Sequence, residues 1–132
     1  MKLLHEELCQ EIIGHFYTVY NELGYGHLER VYENALLIEL RKYNYKAKSQ
    51  CPIKVMYREQ VVGDYYADII VEDKIILELK ATPIKVEHEL QLFNYLKSTD
   101  IEVGYVLSFG KEPKFERKYF SNQKKRETRL RK

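Results

Sequence analysis

The stretch Gly63-Asp64-Tyr65-Tyr66-Ala67-Asp68-Ile69-Ile70-Val71-Glu72-Asp73-Lys74-Ile75-Ile76-Leu77-Glu78-Leu79-Lys80 decides how this chain is read. Its two apolar runs, 69–71 and 75–77, flank a polar break at 72–74, the pattern of two buried strands joined by a tight turn. Acids seldom sit inside strands this apolar, because an unpartnered carboxylate is costly to bury. Glu78 and Lys80 are two apart on one strand and project to the same face. The side on which Asp68 falls depends on hairpin register. With 72–74 as a three-residue loop, Val71 opposes Ile75 and Asp68 lies opposite Glu78. A two-residue loop places Asp68 opposite Leu77 and turns it to the other face.

Working outward, Ile53, Val55 and Tyr57 alternate with polar residues and add a strand before this pair, with Arg58-Glu59-Gln60 as a polar turn and 61–71 as the next strand. Three strands with short connections make an antiparallel meander. Upstream, Leu4, Leu8, Ile12, Phe16, Tyr20 and Leu23 recur at helical spacing, and Leu28, Val31, Tyr32, Ala35, Leu36 and Leu40 resume it through about Lys42. Gly24-Tyr25-Gly26 separates the two helices. A helix cap and a tight turn explain these glycines, since a phosphate-binding loop would follow a strand. Downstream, Pro83 ends strand propensity, and Val86, Leu90, Phe93 and Leu96 predict a helix over roughly 85–98. An interior strand over 101–109 and an edge strand over 114–120 follow. The order α-α-β-β-β-α-β-β predicts an α/β fold, a mixed sheet flanked by helices with one crossover helix.

A chain of 132 residues suits one domain, which we place at 1–122, followed by a basic tail over 123–132. That tail carries six basic side chains against Glu127 and contributes +5 to the net +2, so the body is mildly acidic at −3. Lys124, Lys125 and Arg126 are its candidate phosphate contacts; a solubilising terminus is the plainer reading. No apolar run reaches the roughly 18 residues that span a bilayer, and the acid-containing N-terminus is no signal peptide, so a cytoplasmic, membrane-free protein is expected. Cys9 and Cys51 lack zinc-ligand spacing and read as packing thiols.

If the first register holds, two carboxylates and an ammonium converge. Adjacent acids repel unless a proton or cation sits between them. Magnesium is the natural guest, because it takes oxygen ligands from one or two carboxylates and keeps several waters. It can polarise a phosphoryl oxygen and acidify a bound water. Lys80 beside it can stabilise charge on the phosphorane. The opposing reading is a solvated Glu78–Lys80 ion pair with Asp68 at a strand end.

Asp68 and Glu78-x-Lys80 on a hairpin, between helices, resemble the PD-(D/E)xK nuclease superfamily. Gly26-His27-Leu28-Glu29-Arg30-Val31-Tyr32 is similar to the signature of its GxxExxY group, as are Tyr66-Ala67-Asp68 and the run from His88 to Lys97. The resemblance covers about 5–120. Ala67 stands where the superfamily's name has proline. The resemblance implies a restriction-endonuclease-like fold, with Asp68 and Glu78 as ligands of Mg²⁺ (or Mn²⁺ in its place) and Lys80 as catalytic lysine. It also implies Glu29 as the further metal-binding acid; Glu33, one turn on, shares its face and stays open as an alternative. Gln91 and Tyr95 resemble the QxxxY motif of related exonucleases and join the expected catalytic set, while Tyr95 also suits a core. His88 lies one turn earlier and is either an added site residue or an ordinary helix histidine.

The function expected from these residues is metal-dependent hydrolysis of phosphodiester bonds in nucleic acid, DNA ahead of RNA, by an activated water. The alternative is a non-catalytic nucleic-acid- or protein-binding module on the same fold. A homodimer would allow both strands of a duplex to be cut, but no interface is written in the sequence.

Overall fold

The computed structural model describes residues 3–130. The first two apolar stripes form α1 (Glu6–Leu23) and α2 (Glu29–Lys42). Cys9, Ile12, Phe16 and Val19 make the buried face of α1, and Tyr32, Leu36, Leu37 and Leu40 that of α2, each at helical spacing. Gly24 caps α1 at φ 69, its N–H donating to the Tyr20 carbonyl, in a conformation that strains any side chain with a Cβ. Tyr32 locks this turn. Its hydroxyl donates to the Gly24 carbonyl at 2.6 Å and accepts the His27 N–H at 3.1 Å. Its ring stacks on Phe109 with centroids 4.3 Å apart.

Five strands follow: β1 (Ala47–Tyr57), β2 (Gln60–Val71), β3 (Ile75–Lys80), β4 (Val103–Phe109) and β5 (Pro113–Tyr119). They form one sheet in the order β1-β2-β3-β4-β5. The helix α3 (Val86–Lys97) carries the chain from β3 to β4, so that pair is parallel while all other neighbours are antiparallel. The expected mixed α/β sheet is therefore the observed one.

Three boundaries differ. β1 begins at Ala47 instead of Ile53, because a polar edge strand carries no apolar alternation to announce it, and Pro52 is tolerated at an edge. The first hairpin turn is Arg58-Glu59 alone, at φ 49 and 66, with Gln60 already paired to Tyr57. A two-residue loop with both residues left-handed matches strand twist. Thirdly, the expected tail is structured in its first part: α4 spans Asn122–Leu130. Arg131 and Lys132 lie outside the described residues.

The sheet is covered on both faces. α1 and α2 pack on Ile69, Val71, Ile75, Leu77, Leu79, Val103, Tyr105, Leu107 and Phe109. On the other face, Leu92, Tyr95 and Leu96 of α3 pack with Ile53, Ala67, Ile76 and Val106. Residues two apart on a regular strand share a face. Yet Ala67 packs in the α3 layer and Ile69 in the α1/α2 layer; on β1, Ala47 and Ile53 are divided the same way. The β1–β2 ribbon thus turns over between these positions. Gln50, at φ 49 inside β1, and Asp68 lie at the turnover, where the pairing passes from Ser49–Ile69 to Cys51–Ala67. Among the described residues no helix is long and apolar enough to cross a membrane.

Candidate active site

The β2–β3 hairpin takes the three-residue-loop register, with Val71 opposite Ile75, Ile70 opposite Ile76 and Ile69 opposite Leu77. Glu72 and Asp73 both adopt φ 54 and Lys74 N–H closes the turn on the Val71 carbonyl at 2.9 Å. Continuing the register brings Asp68 to Glu78. There side chains take over from the ladder. The Asp68 N–H donates to Glu78 Oε2 at 2.8 Å, and the Leu79 N–H donates to Asp68 Oδ2 at 2.8 Å. Each carboxylate is anchored on the strand that bears the other, which holds two acids side by side against their repulsion.

The electrostatics follow from that closeness. Glu78 is 3% exposed. Burial, and then the charge of Asp68, push its pKa up to about 8, against the opposing pull of the Asp68 N–H and Lys80. Near neutral pH the Glu78 carboxyl therefore keeps its proton. Lys80 ends β3, half-buried, opposite Ser108 on β4. The solvated ion-pair reading fails here, because Asp68 and Glu78 are interlocked and Glu78 is buried.

The helix-borne acids divide differently. Glu29 stands exposed in the first turn of α2, where negative charge suits the helix dipole, and acts on Glu78 through space. Glu33 is 5% exposed and turned inward. Gln50 Nε2 donates to its Oε1 at 3.0 Å and Oε2 at 3.1 Å, and reaches Asp68 Oδ1 at 3.5 Å. Burial raises the Glu33 pKa, opposed by the Gln50 amide and then raised again by Asp68. Among the described residues, no three His, Cys, Asp or Glu side chains are grouped so that they could hold a metal ion. The expected trio of Glu29, Asp68 and Glu78 is not drawn together as a cage; the structure assembles Asp68 with Glu78 and keeps Glu29 in solvent.

On α3, Gln91 Nε2 donates to the Tyr95 hydroxyl at 2.9 Å. Tyr95 is buried in the α3 layer, and its pKa is pushed up to about 12 by burial and then by Glu78 and Asp68. Tyr95 thus serves the core and borders the acids at once. The Tyr65 ring packs 5.8 Å from it. His88 Nδ1 accepts the Lys85 N–H at 3.0 Å, capping α3; burial and then Lys80 lower its pKa.

The basic segment is placed elsewhere. Lys125, expected to meet phosphate, is buried, and its Nζ donates to the carbonyls of Thr99 and Ile101 and to Asn122 Oδ1. That ammonium fastens α4 to the end of α3 and the approach to β4. Val103 starts β4, whereas Lys80 lies beside Ser108, roughly 16 Å further along at the usual strand rise. Lys124 and Arg126 are exposed.

Gln50 is the site-proximal residue that sequence reasoning missed. One amide in a polar stretch gives no periodic signal, and its left-handed backbone is not written in its residue type.

A family model of the PD-(D/E)XK nuclease superfamily matches residues 6–120, from the start of α1 to just beyond β5. The chain belongs to the PD-(D/E)XK nuclease superfamily, and its sheet and flanking helices are consistent with the restriction-endonuclease-like fold. Membership points to nuclease-type chemistry on nucleic acid, with divalent metals typical of the superfamily. Comparison with curated proteins and with solved structures gives no match.

Proposed function

We propose that the protein is a magnesium-dependent nuclease that hydrolyses phosphodiester bonds, in DNA ahead of RNA. The observation that carries this reading is the interlocked Asp68–Glu78 pair at the open end of the β2–β3 hairpin, with the Glu78 pKa pushed up to about 8 and Lys80 two residues on. The donor chemistry fits a hard divalent cation. Two acids held this close ionise together only at a cost, which a cation between them would relieve.

Asp68 and Glu78 would hold Mg²⁺, or Mn²⁺ in its place, with Glu29 as the further acid. Bound there, the cation would polarise a phosphoryl oxygen and make a water more acidic. As a ligand Glu78 would be ionised, its proton released to solvent. Lys80, two residues from Glu78 on the same strand, would stabilise charge building on the phosphorane. Gln91, steadied by the Tyr95 hydroxyl, orients a water or phosphate with the rest of its amide.

The GxxExxY assignment is supported by the structural parts played by its fixed positions: Gly26 is at φ 106 and Tyr32 closes the turn. A cytoplasmic location, and a second copy for duplex cutting, complete the proposal. Labelled single- and double-stranded DNA and RNA, incubated with Mg²⁺ or Mn²⁺ and with EDTA controls, provide the test. Cutting that requires metal and is lost in Glu78→Ala and Lys80→Ala supports nuclease action. Folded wild type that binds nucleic acid without cutting supports the non-catalytic module.

A further inference from the structure

We propose that Gln50 is a positioning residue that transmits the fixed geometry of Glu33 on α2 to Asp68 on β2. The inference rests on the nuclease reading above and deepens it.

Three independent features converge on this side chain. The first is conformational. Gln50 has φ 49, which is rare for a residue with a Cβ and stays only where surroundings enforce it. The second is topological. Gln50 lies at the point where the β1–β2 ribbon passes from one packing layer to the other, as shown by Ala47 against Ile53 and Ile69 against Ala67. A regular strand would put the residue beside Asp68 on one layer or the other. The left-handed backbone instead admits its amide to the seam between them.

The third feature is the bonding. A carboxamide nitrogen has two hydrogens. Gln50 Nε2 spends its stronger interactions on both oxygens of Glu33, at 3.0 and 3.1 Å, and lies 3.5 Å from Asp68 Oδ1. Glu33 is buried and turned toward this amide. Its role is to aim the amide, so it acts behind Asp68, while exposed Glu29 keeps the freedom to approach a cation. Asp68 is then held by the Leu79 N–H on Oδ2, while the positive edge of the amide faces Oδ1 at 3.5 Å. Groups that orient a ligating carboxylate in this way commonly govern metal affinity and rate by 10–100-fold.

The test uses the full chain with Gln50→Gly, Gln50→Ala, Glu33→Gln and the double variant Glu33→Gln/Gln50→Gly. Glycine accepts the left-handed backbone, so Gln50→Gly removes the amide without the backbone penalty that Gln50→Ala retains. Folding is checked by thermal melting, Mn²⁺ affinity by calorimetry without nucleic acid, and cleavage under saturating Mn²⁺. Gln50→Gly should melt no lower than Gln50→Ala, yet bind Mn²⁺ about tenfold more weakly and show a kcat about 10–100-fold lower, with KM for nucleic acid little changed. Glu33→Gln should match it, and the double variant should be no worse than either single, as expected for one relay. Wild-type Mn²⁺ affinity and kcat in Gln50→Gly would overturn the proposal and leave the nuclease reading intact. Additive losses in the double variant would also overturn it. A wild type that never cuts, but whose Mn²⁺ affinity depends on Gln50 in this way, would retain the positioning role and remove the nuclease reading.

Discussion

Replacing Glu78 by Gln should stabilise the metal-free protein in alkaline solution, although it removes a central residue of the candidate site. The pKa of Glu78 stands at about 8 in the fold against an ordinary 4.5. Between those values the native state holds a proton that the unfolded chain has released. Stability therefore falls as pH rises through this window, and the full penalty is present above pH 8. At about 1.4 kcal/mol per pKa unit the ceiling is about 5 kcal/mol. Local relaxation around Asp68 brings the expected gain to roughly 2–4 kcal/mol. Glutamine keeps a carbonyl to accept the Asp68 N–H, so the geometry survives without the charge. Urea and thermal denaturation in EDTA from pH 4.5 to 9 provide the measurement. Wild type should lose stability across this range relative to the variant, the melting temperatures diverging by about 10 °C at pH 9. Added Mg²⁺ should reverse the order, stabilising wild type and not the variant, by mass action on the folded state. Parallel pH profiles for the two proteins in EDTA would refute the reasoning, since Glu78 would then titrate alike in both states.

Four further expectations can be checked directly. Lys80→Ala should lower kcat roughly 10²–10³-fold at saturating metal in single-turnover cleavage while the melting temperature changes little. Tyr32→Phe removes a hydroxyl bonded at Gly24 and His27 and should cost about 1–3 kcal/mol by urea denaturation; an unchanged midpoint would contradict that locking role. Gly104→Ala should cost about 1–3 kcal/mol, because an added Cβ would lie 2.6 Å from Leu92 Cδ1 and 3.1 Å from the Ile76 carbonyl oxygen. Lys125→Ala should destabilise by about 1–3 kcal/mol while Lys124→Ala leaves the melting temperature within a degree or two; nucleic-acid affinity that fell far more for Lys125 than for Lys124 at equal folding would count against the anchoring role of Lys125.

Local chemistry made most of the fold legible. Helical stripes in α1, α2 and α3 and the apolar runs of β2, β3 and β4 state their own periods, because each must bury one face or both. The register of β2 on β3 was narrowed to two alternatives, and the pairing of Val71 with Ile75 decides between them. Strand parity left two faces for Asp68, one reached by the two-residue loop and the other by the three-residue loop. Hence Asp68, Glu78 and Lys80 stand out as a candidate set in the sequence alone. α4 and the first part of β1 were not legible, since polar segments held by caps, edge pairing or a single buried lysine show no apolar rhythm. A basic run reads alike as a solvated tail and as a helix docked through Lys125.

The sequence by itself determined the element order, the hairpin and the candidate set Asp68, Glu78 and Lys80, because those depend on neighbours two to four positions apart. Tertiary structure decided the rest. It buried Glu78 enough to hold its proton, put Glu33 behind Gln50, left Glu29 in solvent, and moved the basic segment to the far end of β4. These outcomes depend on which layer each strand segment packs against and on one left-handed residue in β1. Such features arise when distant segments compete for the same space, and no local spacing records that competition.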